Sequence, residues 1–217
     1  MLKRRTVVEL LPICLLLVAS LFLPACVDNT KGMASQTELT LDEYLKTSNE
    51  EWFLTGKKEY TVQAMMVSQE LSFHNDLEDV DYTVDDDGVT VVLKGSASEM
   101  WASELSSVQS TYTKPDGSEI SKEDFAEKDA YIDIVAKPSP DSSYARFVPV
   151  DQRVLVETAW GDELHANRPD VEHGDGDYLV CRVGADGEPD LSDVWVVNGT
   201  LFSTRYDTSH LNDGASQ

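Results

Sequence analysis

Apolar positions fall into one unbroken block and, beyond it, into short segments of two different periods. The block runs from Leu10 to Val27 without a charge, behind the cations Lys3, Arg4 and Arg5. From Thr40 the spacing turns helical. Leu41, Tyr44 and Leu45, with Trp52 further on, follow a Thr40-x-x-Glu43 capping box, which predicts a first helix. Gly56 breaks that pattern, and EYTVQAMMV (59–67) has the β-branched and apolar content of a strand. DVDYTV and VTVVL flank three aspartates and Gly88, so residues 80–93 predict a hairpin whose turn takes its positive φ from that glycine. Next, Ser96 and Glu99 form a second capping box, and Trp101, Leu105, Val108 and Tyr112 share one helix face. SKEDFAEKD predicts a short capped helix, and YIDIVA (131–136) a strand.

KPSPDSS (137–143) is the clearest internal boundary. After it the pattern becomes more β: RFVPV, RVLVETAW, GDYLVCRV, DVWVV and TLFSTRY are predicted strands, and Asn198-Gly199 between the last two is a two-residue hairpin signal. The expected organisation is a leader at 1–25, a polar tether at 26–39, an α+β region at 40–137 and a β-rich module at 144–210. The expected fold class is α+β, mainly β, with a helix in the leader and short helices packed on antiparallel sheets. A chain of this length buries one sizeable core or two small ones.

The basic start, the apolar run and the sequence Leu23-Pro24-Ala25-Cys26 resemble the signal and lipobox of bacterial lipoproteins. The resemblance implies that Cys26 receives a diacylglycerol thioether and becomes the first residue after cleavage, anchored at the extracytoplasmic face of the cell membrane. Pro24 stands where that family usually has Ser, Ala, Thr or Val. Read from the residues alone, the same layout also fits an ordinary signal peptide cut nearby or a retained signal anchor. Farther along, Val156-Glu157-Thr158, Gly176-Asp177-Tyr178-Leu179-Val180 and Val194-Trp195-Val196-Val197, with Phe202 and Tyr206, resemble small β modules of the PGDYG type. Asp175 takes the place of the proline in that motif. This second resemblance implies a compact β fold and no catalytic residues.

Charge narrows the partners. The formal net charge is −23, which argues against nucleic acid, since binding a phosphate backbone depends on Lys and Arg displacing counterions. The same charge disfavours anionic headgroups, so membrane attachment would rest on the lipid. What remains is an envelope protein or a small ligand. Of the three cysteines, Cys14 lies in the leader and Cys26 is assigned to lipid, leaving Cys181 without a disulfide partner. It shares a strand face with Leu179 and Val183, opposite Tyr178, Val180 and Arg182, and is expected to be a small buried thiol.

Candidate chemistry concentrates in WGDELHANRPDVEHGDGDYLV (160–180), which gathers two imidazoles and six carboxylates. Asp162, His165, His173 and Asp177 form the candidate metal set, since imidazole and carboxylate together suit zinc or another divalent cation. They support the alternative reading as a metal-dependent hydrolase. The plainer reading is a solvated acidic loop whose glycines make turns. The aspartate run before Gly88 does not make an EF-hand, because Thr83 and Lys94 fall at its first and last positions. The nucleophile elbow, the P-loop and the dinucleotide glycine motif are absent, so no cofactor is implied. Trp52, Trp101, Trp160 and Trp195 sit in apolar patterns and are expected in the core. The leading expectation is a binding or structural module at the cell envelope, more plausibly not an enzyme.

Overall fold

The computed structural model describes residues 37–209, so the leader helix, Cys26 and nearly all of the tether lie outside the described residues. In chain order the elements are β1 (Glu38–Thr40), α1 (Leu41–Thr47), β2 (Phe53–Lys57), β3 (Thr61–Met65), β4 (Leu71–Asn75), β5 (Val80–Val84), β6 (Thr90–Lys94) and β7 (Met100–Glu104). There follow α2 (Leu105–Thr111), β8 (Tyr112–Thr113), β9 (Ile132–Ala136), β10 (Ser139–Pro149), β11 (Arg153–Glu157), β12 (Glu163–Ala166), β13 (Gly176–Val183), β14 (Pro189–Val197) and α3 (Gly199–Arg205). The fold is α+β and mainly β. Among the described residues the strand pairings are antiparallel except the parallel pair β1–β11.

Two β bodies result. In the first, the sheet β7-β6-β3-β9-β8 buries Val62, Ala64, Val91, Leu93 and Ile134 beneath Val108 of α2 and Phe125 of a 3-10 turn at Lys122–Phe125. The period-2 alternation of β3 sends Met65 and Val67 to the opposite face, where Val92 joins them against Val84 of the β4–β5 hairpin. In the second body, β14-β13-β10-β2 carries β1, β11, β12 and α1 on one face. There Leu179, Cys181 and Val194 meet Val154, Val156, Leu164 and Tyr44. On the other face Ala145, Val180 and Tyr178 meet Phe202 and Tyr206 at α3. The alternation expected within DYLVCRV is therefore present, with Cys181 fully buried.

The Thr40–Glu43 capping box is formed, with Thr40 N–H donating to Glu43 Oε2 at 2.9 Å and Glu43 N–H to Thr40 Oγ1 at 3.3 Å. Several expectations need correction. Residues 80–93 are not one hairpin: β5 folds back on β4, Leu71 opposite Val84, while β6 pairs with β3 and β7. LSFHN supplies a partner that its polar alternation concealed. Gly88 does take a positive φ of 65°, and Asp87 Oδ1 accepts from the Val89 and Thr90 N–H groups at 2.8 Å, turning the chain from one sheet into the next. Second, the helix expected from Ser96 begins only at Leu105. Met100–Glu104 is a strand with Trp101 opposite Leu93, and Glu99 directs its carboxylate to Ala97 N–H and to Arg205 rather than to a cap.

Third, the boundary expected at KPSPDSS falls inside regular structure. Ser139 opens the long strand β10, and an irregularity between Ser139 and Ser143 accommodates Pro140, which has no N–H to donate. Fourth, TLFSTRY is helical. Asn198 is the N-cap of α3, its side-chain oxygen accepting from Thr200 N–H at 3.0 Å, and Gly199 is the first helical residue. Trp160 also departs from expectation, since it is 56% exposed at the β11–β12 turn.

The two bodies do not follow the expected division of the chain at 137–144. β1, α1 and β2 belong to the second body, so that body is assembled from residues 38–57 and 139–206. β2 is closed on its outer side by the segment after α3. Lys57 bridges Tyr206, Lys58 N–H donates to Arg205 O at 2.8 Å, Asp207 N–H to Gly56 O at 3.0 Å, and Thr55 Oγ1 to Asp207 O at 2.7 Å.

Candidate functional site

The acid- and histidine-rich segment lies between β12 and β13 and folds around Asp177, the second residue of β13. Asp177 is almost fully buried. Its Oδ2 accepts from Asn167 N–H at 2.8 Å; its Oδ1 accepts from Gly199 N–H at 2.9 Å and lies 2.7 Å from His173 Nδ1. Asn167 Oδ1 returns the contact, accepting from Asp177 N–H at 3.0 Å. The other ring nitrogen of His173, Nε2, lies 2.7 Å from the Arg168 carbonyl oxygen. Both imidazole nitrogens thus face oxygens, which leaves no ring lone pair directed at a metal. Arg168 carries the network outward, donating to Asp76 O at 3.1 Å and to Asp170 Oδ2 at 2.8 Å. The glycines fit the crowding: a side chain at Gly199 would run into the backbone oxygens of Gly176 and His173.

Of the four candidate metal residues, only His173 and Asp177 come together. His165 on β12 places Nδ1 2.9 Å from Glu38 Oε1, and Glu38 also takes Arg153 at 3.3 Å. Asp162 sits in the β11–β12 turn, where its N–H donates to Thr158 Oγ1 at 2.9 Å. Among the described residues, no group of three or more His, Cys, Asp or Glu side chains converges to hold a metal ion. The Cys181 thiol is not a nucleophile in waiting either. Burial, reinforced by the Asp190 carboxylate, pushes its pKa up to about 11.

The feature that sequence reasoning missed is a cavity of about 220 Å³ between the two β bodies. Its wall includes Lys57 at the end of β2, Tyr60, Glu78 in the β4–β5 turn, Trp101 on β7, Trp195 on β14 and Arg205 at the end of α3. The Arg205 guanidinium pairs with the buried Glu99 carboxylate and lies 5.5 Å from the Tyr60 ring centre and 5.9 Å from that of Trp101. Glu78 accepts from Tyr82 Oη at 3.3 Å. Burial pushes the Tyr112 and Tyr206 phenols, which also line the cavity, above their ordinary range.

Burial also raises the Glu78 carboxyl above its usual value of 4.5. The unfolded chain then releases this proton at a lower pH than the folded protein. Stability falls as pH climbs from the unfolded value through the folded one, and holds at the lower level beyond it. Glu78→Gln should therefore melt at a higher temperature than the wild type at neutral pH, with the two curves converging below about pH 4. Thermal melts across pH measure this; equal melting temperatures throughout would show that Glu78 is solvated.

No protein-family model, curated protein or solved structure matches the chain.

Proposed function

We propose that this is a lipid-anchored bacterial envelope protein, held through Cys26 at the extracytoplasmic face of the cell membrane, whose β body binds a small ligand in the cavity between its two halves. The observation that carries the binding reading is that cavity, where the rings of Tyr60, Trp101 and Trp195 stand beside polar and charged groups, among them Lys57, Glu78 and Arg205. At about 220 Å³ it falls below the roughly 300–1,000 Å³ of pockets that take drug-sized molecules, so it suits a small metabolite. The acids at its wall are already engaged, Glu99 by Arg205 and Glu78 by Tyr82. That favours holding a ligand over transferring its protons. The lipobox residues Leu23 to Cys26 support the anchor, and the acidic surface suits a solvated body that does not itself adhere to anionic lipid.

Two measurements test the two halves of this reading. Labelled fatty acid should enter the wild-type chain and be absent from Cys26→Ser; label retained in that variant would remove the anchor. For the cavity, the indole NMR signals of Trp101 and Trp195 should shift saturably with small aromatic solutes, and Leu77→Trp, which places bulk on the cavity wall, should suppress the shift. Signals indifferent to every solute would dismiss the cavity as a binding site.

A further inference from the structure

Resting on the cavity reading above, we infer that the ligand is a small monoanion, a carboxylate on a flat apolar body, and that Lys57 is the residue that takes its charge. Lys57 is held in place by its backbone, opposite Ser139 of β10 on one side and Tyr206 on the other, and it is one of the residues that line the cavity. Among the described residues it has no hydrogen-bond or ion-pair partner for its ammonium. The chain carries 40 Asp and Glu against 17 Lys and Arg, so carboxylates are abundant enough that a partly buried lysine without one stands out. The charges that act on it are instead the Arg182 and Arg205 guanidinium groups. Burial first, and these two cations second, push its pKa down. A ligand carboxylate would relieve both effects.

Of the carboxylates at the wall, Glu99 is held by Arg205, Asp177 by the Asn167 and Gly199 N–H groups and Glu78 by the Tyr82 hydroxyl, so the charge left to match is that of Lys57, which favours a single negative group. Arg205 is neutralised by Glu99, so it offers no second free cation, and a dianion would leave one charge unmatched. The net charge of −23 also repels a polyanion more strongly than a monoanion. Tyr60, Trp101 and Trp195 supply ring surface for the apolar body.

The test uses benzoate and its neutral counterpart benzyl alcohol, followed by Trp101 and Trp195 indole shifts and by calorimetry. Benzoate should bind the wild type at least tenfold more tightly than benzyl alcohol. Lys57→Met should weaken benzoate at least tenfold and leave benzyl alcohol unchanged, while Lys57→Arg keeps most of the benzoate affinity. The wild-type comparison of the two solutes needs no variant, so it decides even if Lys57→Met does not fold. Equal affinities for the two solutes, or benzoate binding that survives Lys57→Met, would overturn the assignment while leaving the cavity as a binding site. If neither solute shifts either indole, the cavity reading and this inference fall together.

Discussion

Asp177→Ala should lower the stability of the folded protein by about 3 kcal/mol or more, because each buried group left without its hydrogen-bond partner costs about 1–3 kcal/mol. Three groups lose their acceptor at once: the Asn167 and Gly199 N–H donors, and His173 Nδ1. Two of the three have no water to turn to, because Asn167 and His173 are themselves buried. Since a small domain is stable by only about 5–15 kcal/mol, this change alone brings it close to unfolding. Denaturant midpoints measure the loss. Adding His173→Ala should recover part of it, because the double variant no longer buries an imidazole facing an empty site, and the two single costs should not add. A loss under about 1 kcal/mol would show that this network is open to solvent.

The second large effect is expected at Phe202, which should cost about 3–5 kcal/mol when truncated to alanine. Its ring stacks on Tyr178 at 3.7 Å and on Tyr206 at 5.1 Å, and meets the edge of Phe53 at 6.1 Å. The alanine variant leaves a hole where α3 sits on the β14-β13-β10-β2 sheet. Phe202→Leu refills most of it and should cost less than half as much. Because Arg205 at the end of α3 and Tyr206, its C-cap, line the cavity, Phe202→Ala should also weaken the solute-induced indole shifts. Normal melting of Phe202→Ala would mean that α3 does not pack as described.

What the sequence made legible follows from how local the deciding interactions are. The Thr40–Glu43 cap, the strands within 59–67, 131–136 and 176–183, and the burial of Cys181 depend on neighbours three or four residues away or on a simple alternation. Asn198-Gly199 has the local signature of a hairpin turn, but its fate is decided elsewhere. Asp177, far back in the chain, accepts the Gly199 N–H and so favours a helix start over a hairpin turn. The same distance hid the role of the histidine and acid cluster. Its composition suggested metal ligation, whereas its contacts with Arg168, Asn167 and Gly199 fasten a loop to the sheet. The cavity had no local signature at all. Its wall is drawn from separate segments between Lys57 and Tyr206, and no window of the chain contains enough of it to form a motif.

The closure of β2 by the segment after α3 sets an order on how this chain reaches its native state. Thr55 and Asp207 bond across 152 residues, and bringing together ends so far apart costs about 4 kcal/mol of chain entropy before any contact offsets it. The second body is therefore a late product. A nascent chain still missing residues near Tyr206 has its early strand β2 with one edge uncovered, and a body rich in such distant pairings folds slowly. The β2 edge, an open template for pairing with another chain, is thus shielded only once the segment after α3 has joined it.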